Sequence, residues 1–226
     1  ARRVVTASPE SFTLPSDKVT VIGHGIDMAS FAPAPRPAAD PLILAVGRLS
    51  AIKNYETLIE ALAQLRERPG FEDARLAIAG GTTPEAPDYD ARLRTLAERL
   101  GVAAHVDLPG AVPPGDIPAL YHQAAVTANL APTGGLDKVV IESLASGVPA
   151  VVHNRTFLPV LGSDADLLWC ETLDAACVAA RLAAVLSLPP AERAALGARL
   201  AARVRETYAL ATFIDRLVSV FEEVAR

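Results

Sequence analysis

Short apolar runs alternate with helical stretches through the first 152 residues, and this alternation leaves few folds open to the chain. The runs are continuously apolar, which is typical of strands covered on both faces. Strands that alternate with helices over this length predict an α/β fold with a parallel, doubly wound sheet. The predicted strands are Arg3–Ala7, Val19–Ile22, Leu42–Val46, Leu76–Ala79, His105–Asp107, Val126–Ala128 and Ala150–Val152. The predicted helices between them are Tyr55–Arg66, Tyr89–Leu100, Ile117–His122 and Lys138–Ser146.

The sequence changes character after residue 152. Three consecutive stretches rich in Ala, Leu and Arg predict extra C-terminal helices at Leu173–Ser187, Ala191–Val204 and Leu210–Val224. Near the other end, residues 32–41 contain four prolines and predict a stiff, exposed connector rather than a helix. This connector separates residues 1–31 from the α/β body that begins at residue 42.

The composition excludes several classes of protein. With 51% hydrophobic residues and a net charge of −5 over 226 residues, the chain is too apolar to be disordered and too acidic for a nucleic-acid footprint. No apolar run reaches the roughly 18–20 residues of a membrane span, so we expect a soluble globular chain. Cys170 and Cys177 have no Cys-x-x-Cys or His partners, which favours two buried thiols in a reducing cytosol. No metal site is predicted.

Loops that follow strands are the first place to look for a site, because open α/β sheets bind ligands beyond the carboxyl ends of their strands. Gly47 directly follows the strand Leu42–Val46 and permits a sharp turn. Arg48 and Lys53 then bracket the loop, and such a pair can hold a diphosphate, Arg48 as a bidentate fork and Lys53 as a point charge. Two solvated surface cations are the alternative.

A second candidate loop precedes the helix Lys138–Ser146. Gly134 and Gly135 leave backbone amides free to approach an anion, and the dipole of the following helix favours one. An ordinary connecting loop is the alternative. One turn further on, Glu142 stands among apolar helix residues, where burial is costly without partners. It can reach the ribose of a nucleotide whose phosphates sit at the helix start; an outward-facing surface glutamate is the alternative.

Other polar residues carry weaker signals. The segment Gly23–Met28 half-matches a dinucleotide fingerprint, but Met28 replaces the third glycine and a proline-rich connector follows, so NAD binding is rejected. The Asp-x-Asp triplets at Asp88–Asp90 and Asp164–Asp166 are predicted to be solvated loop carboxylates. His105 and His153 adjoin strands and are predicted to be structural histidines.

Taken in order, several segments resemble the C-terminal half of a family 4 retaining glycosyltransferase with the GT-B fold. The likeness covers nearly the whole chain and implies a Rossmann-like half of that fold. The matching segments are Val19–Asp27 with Phe31 and Pro33, Val46–Leu49 with Lys53, Leu76–Gly81, Leu108–Val112 and Ile141–Val152.

The resemblance implies a role for each matched residue. Arg48 and Lys53 are implied to bind the donor diphosphate and to stabilise it as a leaving group without a metal ion or other cofactor. Glu142 is implied to hydrogen-bond the ribose, and the base is implied to rest near Gly110 and Val112. The full set of implied donor-binding residues is Gly25, Gly47, Gly81, Val112, Gly134, Gly135, Leu136, Asp137, Lys138 and Glu142.

One position departs from the family pattern. The family carries a Glu-x7-Glu pair whose first glutamate contacts the donor sugar, and Gly134 stands at that position here. Asp137 lies nearby and can supply a carboxylate, although its plain interpretation is an N-cap for the following helix. Lys138 is expected to offset the repulsion between that carboxylate and a diphosphate.

The resemblance also implies a division of the parent protein. Residues 1–31 are expected to be the last strand of an absent N-terminal domain and the crossover from it. Residues 32–208 are then the nucleotide-sugar-binding domain, and residues 209–226 a helix that crosses back. The absent domain is implied to bind the acceptor, so this piece alone is expected to be inactive.

The leading hypothesis is therefore a hexosyltransferase that uses a nucleotide-sugar donor with retention. It is expected in the cytoplasm of a bacterium, with peripheral attachment at the inner membrane face left open. The alternatives are a GT-B epimerase or phosphorylase, and a non-catalytic nucleotide-sugar-binding or interaction domain.

Overall fold

The computed structural model describes residues 1–12, 14–34, 40–132 and 135–225. Half of the predicted connector, residues 35–39, therefore falls outside the described residues. In chain order, the strands are β1 (Val4–Thr6), β2 (Val19–Val21), β3 (Leu42–Val46), β4 (Arg75–Ala79), β5 (Val106–Gly110), β6 (Val126–Asn129) and β7 (Ala150–Val152). The helices are α1 (Tyr55–Arg66), α2 (Tyr89–Arg99), α3 (Ile117–Gln123), α4 (Lys138–Ala145), α5 (Leu158–Leu161), α6 (Ala165–Leu168), α7 (Ala175–Leu186), α8 (Pro190–Tyr208) and α9 (Leu210–Ala225).

Five strands form a parallel sheet in the spatial order β5-β4-β3-β6-β7. The chain starts in the middle at β3, adds β4 and β5 on one side, and then returns to add β6 and β7 on the other. The strand order reverses between β3 and β6, which is where a doubly wound sheet opens a crevice for ligands. The predicted α/β fold with a parallel, doubly wound sheet is confirmed.

The two faces of the sheet are covered by different helices. Side chains alternate along β3, so Ile43 packs in the larger core with α1 and α2 while Leu44 packs on the opposite face with Tyr121 of α3. Helix α1 also packs against α7, and α4 packs against α8. In the described residues, no single helix has both the length and the apolarity of a membrane span; α7 and α8 meet that test only together, across a bend of 109°.

The first two predicted strands do not join this sheet. They pair in parallel with each other as a separate two-stranded sheet, β1 with β2. Helix α9 lies against the same segment: Leu210 N donates to Ile26 O at 3.0 Å, and Arg216 donates to Ile22 O at 3.3 Å. The N-terminal residues and the last helix are thus packed together beside the main sheet.

Element boundaries differ from the prediction mainly where tertiary context decides. Strand β5 continues through Pro109 to Gly110, beyond the predicted end at Asp107. It is an edge strand, where a missing backbone N–H is tolerated. Helices α5 and α6 were not predicted, because one-turn helices have no periodicity that a sequence can show.

Helix α8 crosses the end of α4 at a point where two glycines touch. A Cβ added to Gly197 would overlap the backbone carbonyl of Gly147. Gly147, with φ of 75°, forms the turn that leaves α4, so its carbonyl has little freedom to move. The close crossing therefore requires a residue without a side chain at position 197.

We predict that Gly197→Ala lowers the free energy of unfolding by about 1–3 kcal/mol, the usual cost of forcing extra atoms into a packed contact. In an open helix the same change stabilises, because alanine has the higher helix propensity. Urea denaturation at 25 °C gives the sign directly. Gly115→Ala is the control, because no atom lies within 4 Å of a Cβ built there. A Gly197→Ala variant as stable as the wild type would disprove the tight crossing.

Candidate functional site at the carboxyl end of the sheet

The loops that follow β3, β4 and β5 are joined by backbone hydrogen bonds. These bonds run from Gly47 N to Ala79 O (3.0 Å), from Leu49 N to Gly81 O (2.8 Å) and from Gly80 N to Gly110 O (2.8 Å). Gly47 has φ of 149°, a conformation that favours glycine. A Cβ on Gly81 would lie 3.4 Å from the Ala111 side chain. The structure therefore brings Gly47, Gly81 and Ala111, the neighbour of Val112, to one edge of the sheet.

An ion pair closes the crevice between β3 and β6. Lys53, from the loop after β3, donates to the Oδ2 carboxylate oxygen of Asp137 at the start of α4. Asn129, the last residue of β6, donates to the same oxygen at 2.9 Å. The Lys53 and Asp137 side chains are only 16% and 26% exposed, so this is not one of the solvated surface pairs that add little.

Neighbouring contacts fix the loop that carries Lys53. Asn54, with φ of 52°, begins α1 and donates from Nδ2 to Leu130 O across the crevice at 3.0 Å. The buried Tyr55 hydroxyl donates to Gly47 O at 3.0 Å. Lys53 is therefore held from both sides of the strand reversal.

The interpretation of Asp137 as a side-chain N-cap is wrong. Asp137 occupies the N-cap position of α4, but among the described contacts its carboxylate accepts from Lys53 and Asn129 and from no amide of the first turn. The cation that neutralises it is accordingly Lys53, whereas Lys138, the predicted partner, is exposed at the first residue of the helix. A contact between residues 84 positions apart has replaced a local one.

Arg48 is exposed beside this pair. It lies between Gly47 and the buried Leu49 in the sequence. A Cβ built on Gly47 would lie 3.5 Å from Lys53 Cε. The pKa of Glu85 is held below its usual range by hydrogen bonds from the Glu85 backbone and from Thr83. The positive charge of Arg48 adds to that effect. Arg48 thus lies towards the loop after β4, on the solvent side of the crevice.

Glu142 lies one turn into α4, half-buried, with a tyrosine beside it. The Tyr121 hydroxyl is 3.4 Å from Glu142 Oε2 and 2.9 Å from Val139 O. Burial raises the pKa of Glu142 above its usual range; Tyr121 and Lys138 oppose that shift and Asp137 adds to it. Among the described contacts, the hydrogen-bond partner of Glu142 is therefore a buried phenol.

The remaining predicted residues lie in three places. Leu136 is buried at the start of α4, next to His24, whose pKa is lowered by burial and by Lys138 although Leu136 and Asp137 oppose the shift. Gly135 adjoins Ser11, because a Cβ there would overlap the serine hydroxyl. Gly25 packs against α9, where a Cβ would lie 2.8 Å from Leu210. Gly134 lies outside the described residues.

Several polar residues for which the sequence predicted no functional role have hydrogen-bond partners in the structure. Asp164 was expected to be solvated and is not: it accepts from Arg199 (2.9 Å) and Arg203 (2.8 Å), with a side chain only 12% exposed. His105 bonds Arg66 at 2.8 Å and His153 bonds Cys170 O at 2.9 Å, so both are structural as predicted. Cys170 is buried, whereas Cys177 is only half-buried.

Sequence reasoning missed Asn129 and Tyr121. A polar residue that ends the buried strand Val126–Asn129 was a usable signal for Asn129, because it stands at the carboxyl edge where ligands bind. Tyr121 gave no such signal, since an aromatic residue on an amphipathic helix is indistinguishable from core.

Comparison with known proteins identifies the family of the chain. The family model for group 1 glycosyl transferases matches residues 29–202. The chain belongs to that family. It is 30% identical over 203 residues to a protein of Escherichia coli (strain K12) named for colanic acid biosynthesis, the glycosyltransferase WcaL, with 86% of this chain and 48% of WcaL covered.

Two further matches carry ligand names. A GDP-mannose-dependent phosphatidylinositol monomannoside mannosyltransferase of Mycobacterium tuberculosis is 31% identical over 180 residues, which are 67% of this chain and 45% of that one. The crystal structure of Anabaena HepE with UDP and glucose superposes with a TM-score of 0.85 at 18% identity, over 99% of this chain and 64% of HepE. The chain spans about half the length of the curated relatives it matches.

We predict that Glu142→Gln stabilises the protein at pH 8 and that this gain shrinks towards zero at pH 4. With a folded-state pKa above the unfolded one, wild-type Glu142 binds its proton more readily when folded, so stability falls as pH rises through that range. Below the unfolded pKa both states are protonated and the penalty disappears. Urea denaturation at the two pH values measures the difference.

The control for that experiment is Glu60→Gln, an equal change of charge on the exposed side of α1. A Glu142→Gln gain that is the same at pH 4 and pH 8 would show that burial does not oppose ionisation of this carboxyl.

Proposed function

We propose that this glycosyltransferase chain binds the nucleotide-sugar donor for a hexosyl transfer that retains anomeric configuration, in the manner of family 4 enzymes. The observation that supports it is the ion pair at the strand reversal. Lys53 and Asp137 join the loop after β3 to the first turn of α4, which puts a cation, an exposed arginine and a helix N-terminus in one crevice. That combination suits a diphosphate.

In this proposal the diphosphate lies between the loop after β3 and α4. Lys53 has three N–H donors, of which Asp137 takes one, so the ammonium can serve a phosphate oxygen without leaving the carboxylate. Arg48 binds bidentately from the solvent side, and the amides of Leu136, Asp137 and Lys138 approach from the helix. These groups stabilise the negative charge that develops on the leaving diphosphate, which is the task a metal ion performs in other transferases.

Glu142 lies one turn further along α4 and is proposed to accept hydrogen bonds from the donor ribose. A carboxylate is an acceptor only, so it matches a pair of hydroxyl donors. The loops at Gly81 and Val112 lie along the same edge and are proposed to border the base. The relatives that name UDP and GDP-mannose support a nucleotide diphosphate as the carrier.

The acceptor is proposed to bind elsewhere in a longer protein. The matched relatives are about twice as long as the aligned region. The described part of residues 1–31 and α9, which contact each other beside the main sheet, are proposed to adjoin the acceptor-binding part.

We predict that calorimetric titration with UDP, GDP, ADP and TDP finds one that binds this chain, and that Arg48→Ala/Lys53→Ala weakens it at least tenfold. Hydrogen bonds to charged groups contribute about 1.5–3 kcal/mol each, and about 1.4 kcal/mol is tenfold. Arg99→Ala is the control, since Arg99 is an exposed residue at the end of α2 that the proposal does not involve. Unchanged affinity in the double variant, or no binding by any of the four, would count against the donor site.

A further inference from the structure

Tyr121 is a buried phenol whose only polar atom points at the candidate site. The residue is 1% exposed and packs with Leu44 and Val148 under the sheet. Phe31 meets its ring edge-on, with centroids 6.1 Å apart. The hydroxyl reaches Val139 O and Glu142 Oε2 on α4. The ring is fixed by packing, so the hydroxyl is a fixed point against which a mobile side chain can be held.

We propose that Tyr121 is a positioning residue that holds the Glu142 carboxylate in the crevice for the donor ribose. This inference rests on the proposed function, because it assumes that Glu142 meets the 2′- and 3′-hydroxyls. The single proton of the Tyr121 hydroxyl is shared between Val139 O at 2.9 Å and Glu142 Oε2 at 3.4 Å, so Oε2 accepts the longer branch. Among the described contacts the other carboxylate oxygen has no partner, which leaves it to face the ligand. A glutamate has three side-chain torsions, and a contact with a fixed hydroxyl restricts them before the ligand arrives.

The charges around Glu142 are consistent with that role. Among the described residues, Tyr121 faces it from α3, and Lys138 and Asp137 face it from the start of α4. Burial raises the pKa of Glu142, and the Tyr121 hydrogen bond lowers it, so the phenol favours the ionised form. The pKa of Tyr121 itself is raised by burial and by Glu142, so its hydroxyl keeps its proton and remains a donor.

The test compares two ligands that differ only in the ribose hydroxyls. The probes are the nucleoside diphosphate that binds among UDP, GDP, ADP and TDP, and its 2′,3′-dideoxy analogue. For Tyr121→Phe we expect the affinity for the first to fall about three- to tenfold and the affinity for the second to stay within twofold. A structural role for Tyr121 predicts equal loss for both, and that result would overturn the proposal.

Tyr89→Phe is the matched control. Tyr89 is also 1% exposed and also donates to a glutamate, Glu56, but it packs with α1 on the opposite face of the sheet. Neither affinity is expected to change. Far-UV circular dichroism checks that both variants fold, and the ratio of the two affinities cancels any shared loss of folded protein.

A second pair of variants separates the two hypotheses. Glu142→Ala is expected to lower the affinity for the nucleoside diphosphate to that of the dideoxy analogue, and Tyr121→Phe is expected to add nothing to it. If Glu142→Ala does not change the ratio, the ribose role of Glu142 fails. If Glu142→Ala changes the ratio and Tyr121→Phe does not, only the positioning role of Tyr121 fails.

The pH dependence gives an independent readout. As pH falls, protonation of Glu142 should erode the preference for the ribose-bearing nucleotide. Without the phenol the carboxylate protonates more readily, so this loss should begin at a higher pH in Tyr121→Phe than in the wild type. An identical pH profile in the two proteins would contradict the proposal.

Discussion

The parallel pairing of β3 with β6 is the contact on which the candidate site depends. These strands are far apart in sequence, yet Ile43 pairs with Val126 and Leu44 with Thr127. The segments that follow β3 and β6 therefore leave the sheet at the same edge. The first leads into α1 and the second into α4. Lys53, Asp137 and Asn129 meet only because of that register, and a shift of one residue would turn each side chain of a strand to the other face.

The ion pair at this edge sets the charge that a ligand meets. Asp137 alone would repel a diphosphate by about 4 kcal/mol per pair of charges 4 Å apart near a protein surface. Its contact with Lys53 and its hydrogen bond from Asn129 spread that charge over two partners. The exposed Arg48 and the backbone amides at the start of α4 are then the donors that the crevice offers to a ligand. An acidic residue beside the proposed diphosphate site is thus compatible with binding, because its cation, Lys53, comes from across the crevice.

The fold was predictable because its signals are local. Buried parallel strands such as Leu42–Val46 are continuous apolar runs, and helix α1 was predicted to the residue. Arg48, Lys53 and Glu142 could be chosen as candidates from the sequence, because their positions after a strand or within an apolar helix can be read from it; their roles stay predictions. The contacts of Asp137 could not be predicted in this way. An N-cap is inferred from residues next to it in the sequence, whereas the contact with Lys53 exists only because the sheet brings β3 and β6 together. Asp164 failed for the same reason: both its arginines lie on α8, 35 and 39 residues away.

Helix α4 must serve the core and the site together. Val140, Ile141 and Leu144 are buried in the core, while Glu142 between them carries a charge whose burial opposes folding. The next residue, Ser143, ties the helix to its surroundings: it bonds Thr127 of β6 at 2.7 Å and donates to Val148 O at 3.0 Å. Gly197 then lets α8 approach the turn at Gly147 more closely than any side chain would allow. The placement of Glu142 and of the helix amides in the crevice therefore depends on the contacts that α4 makes with β6 and α8.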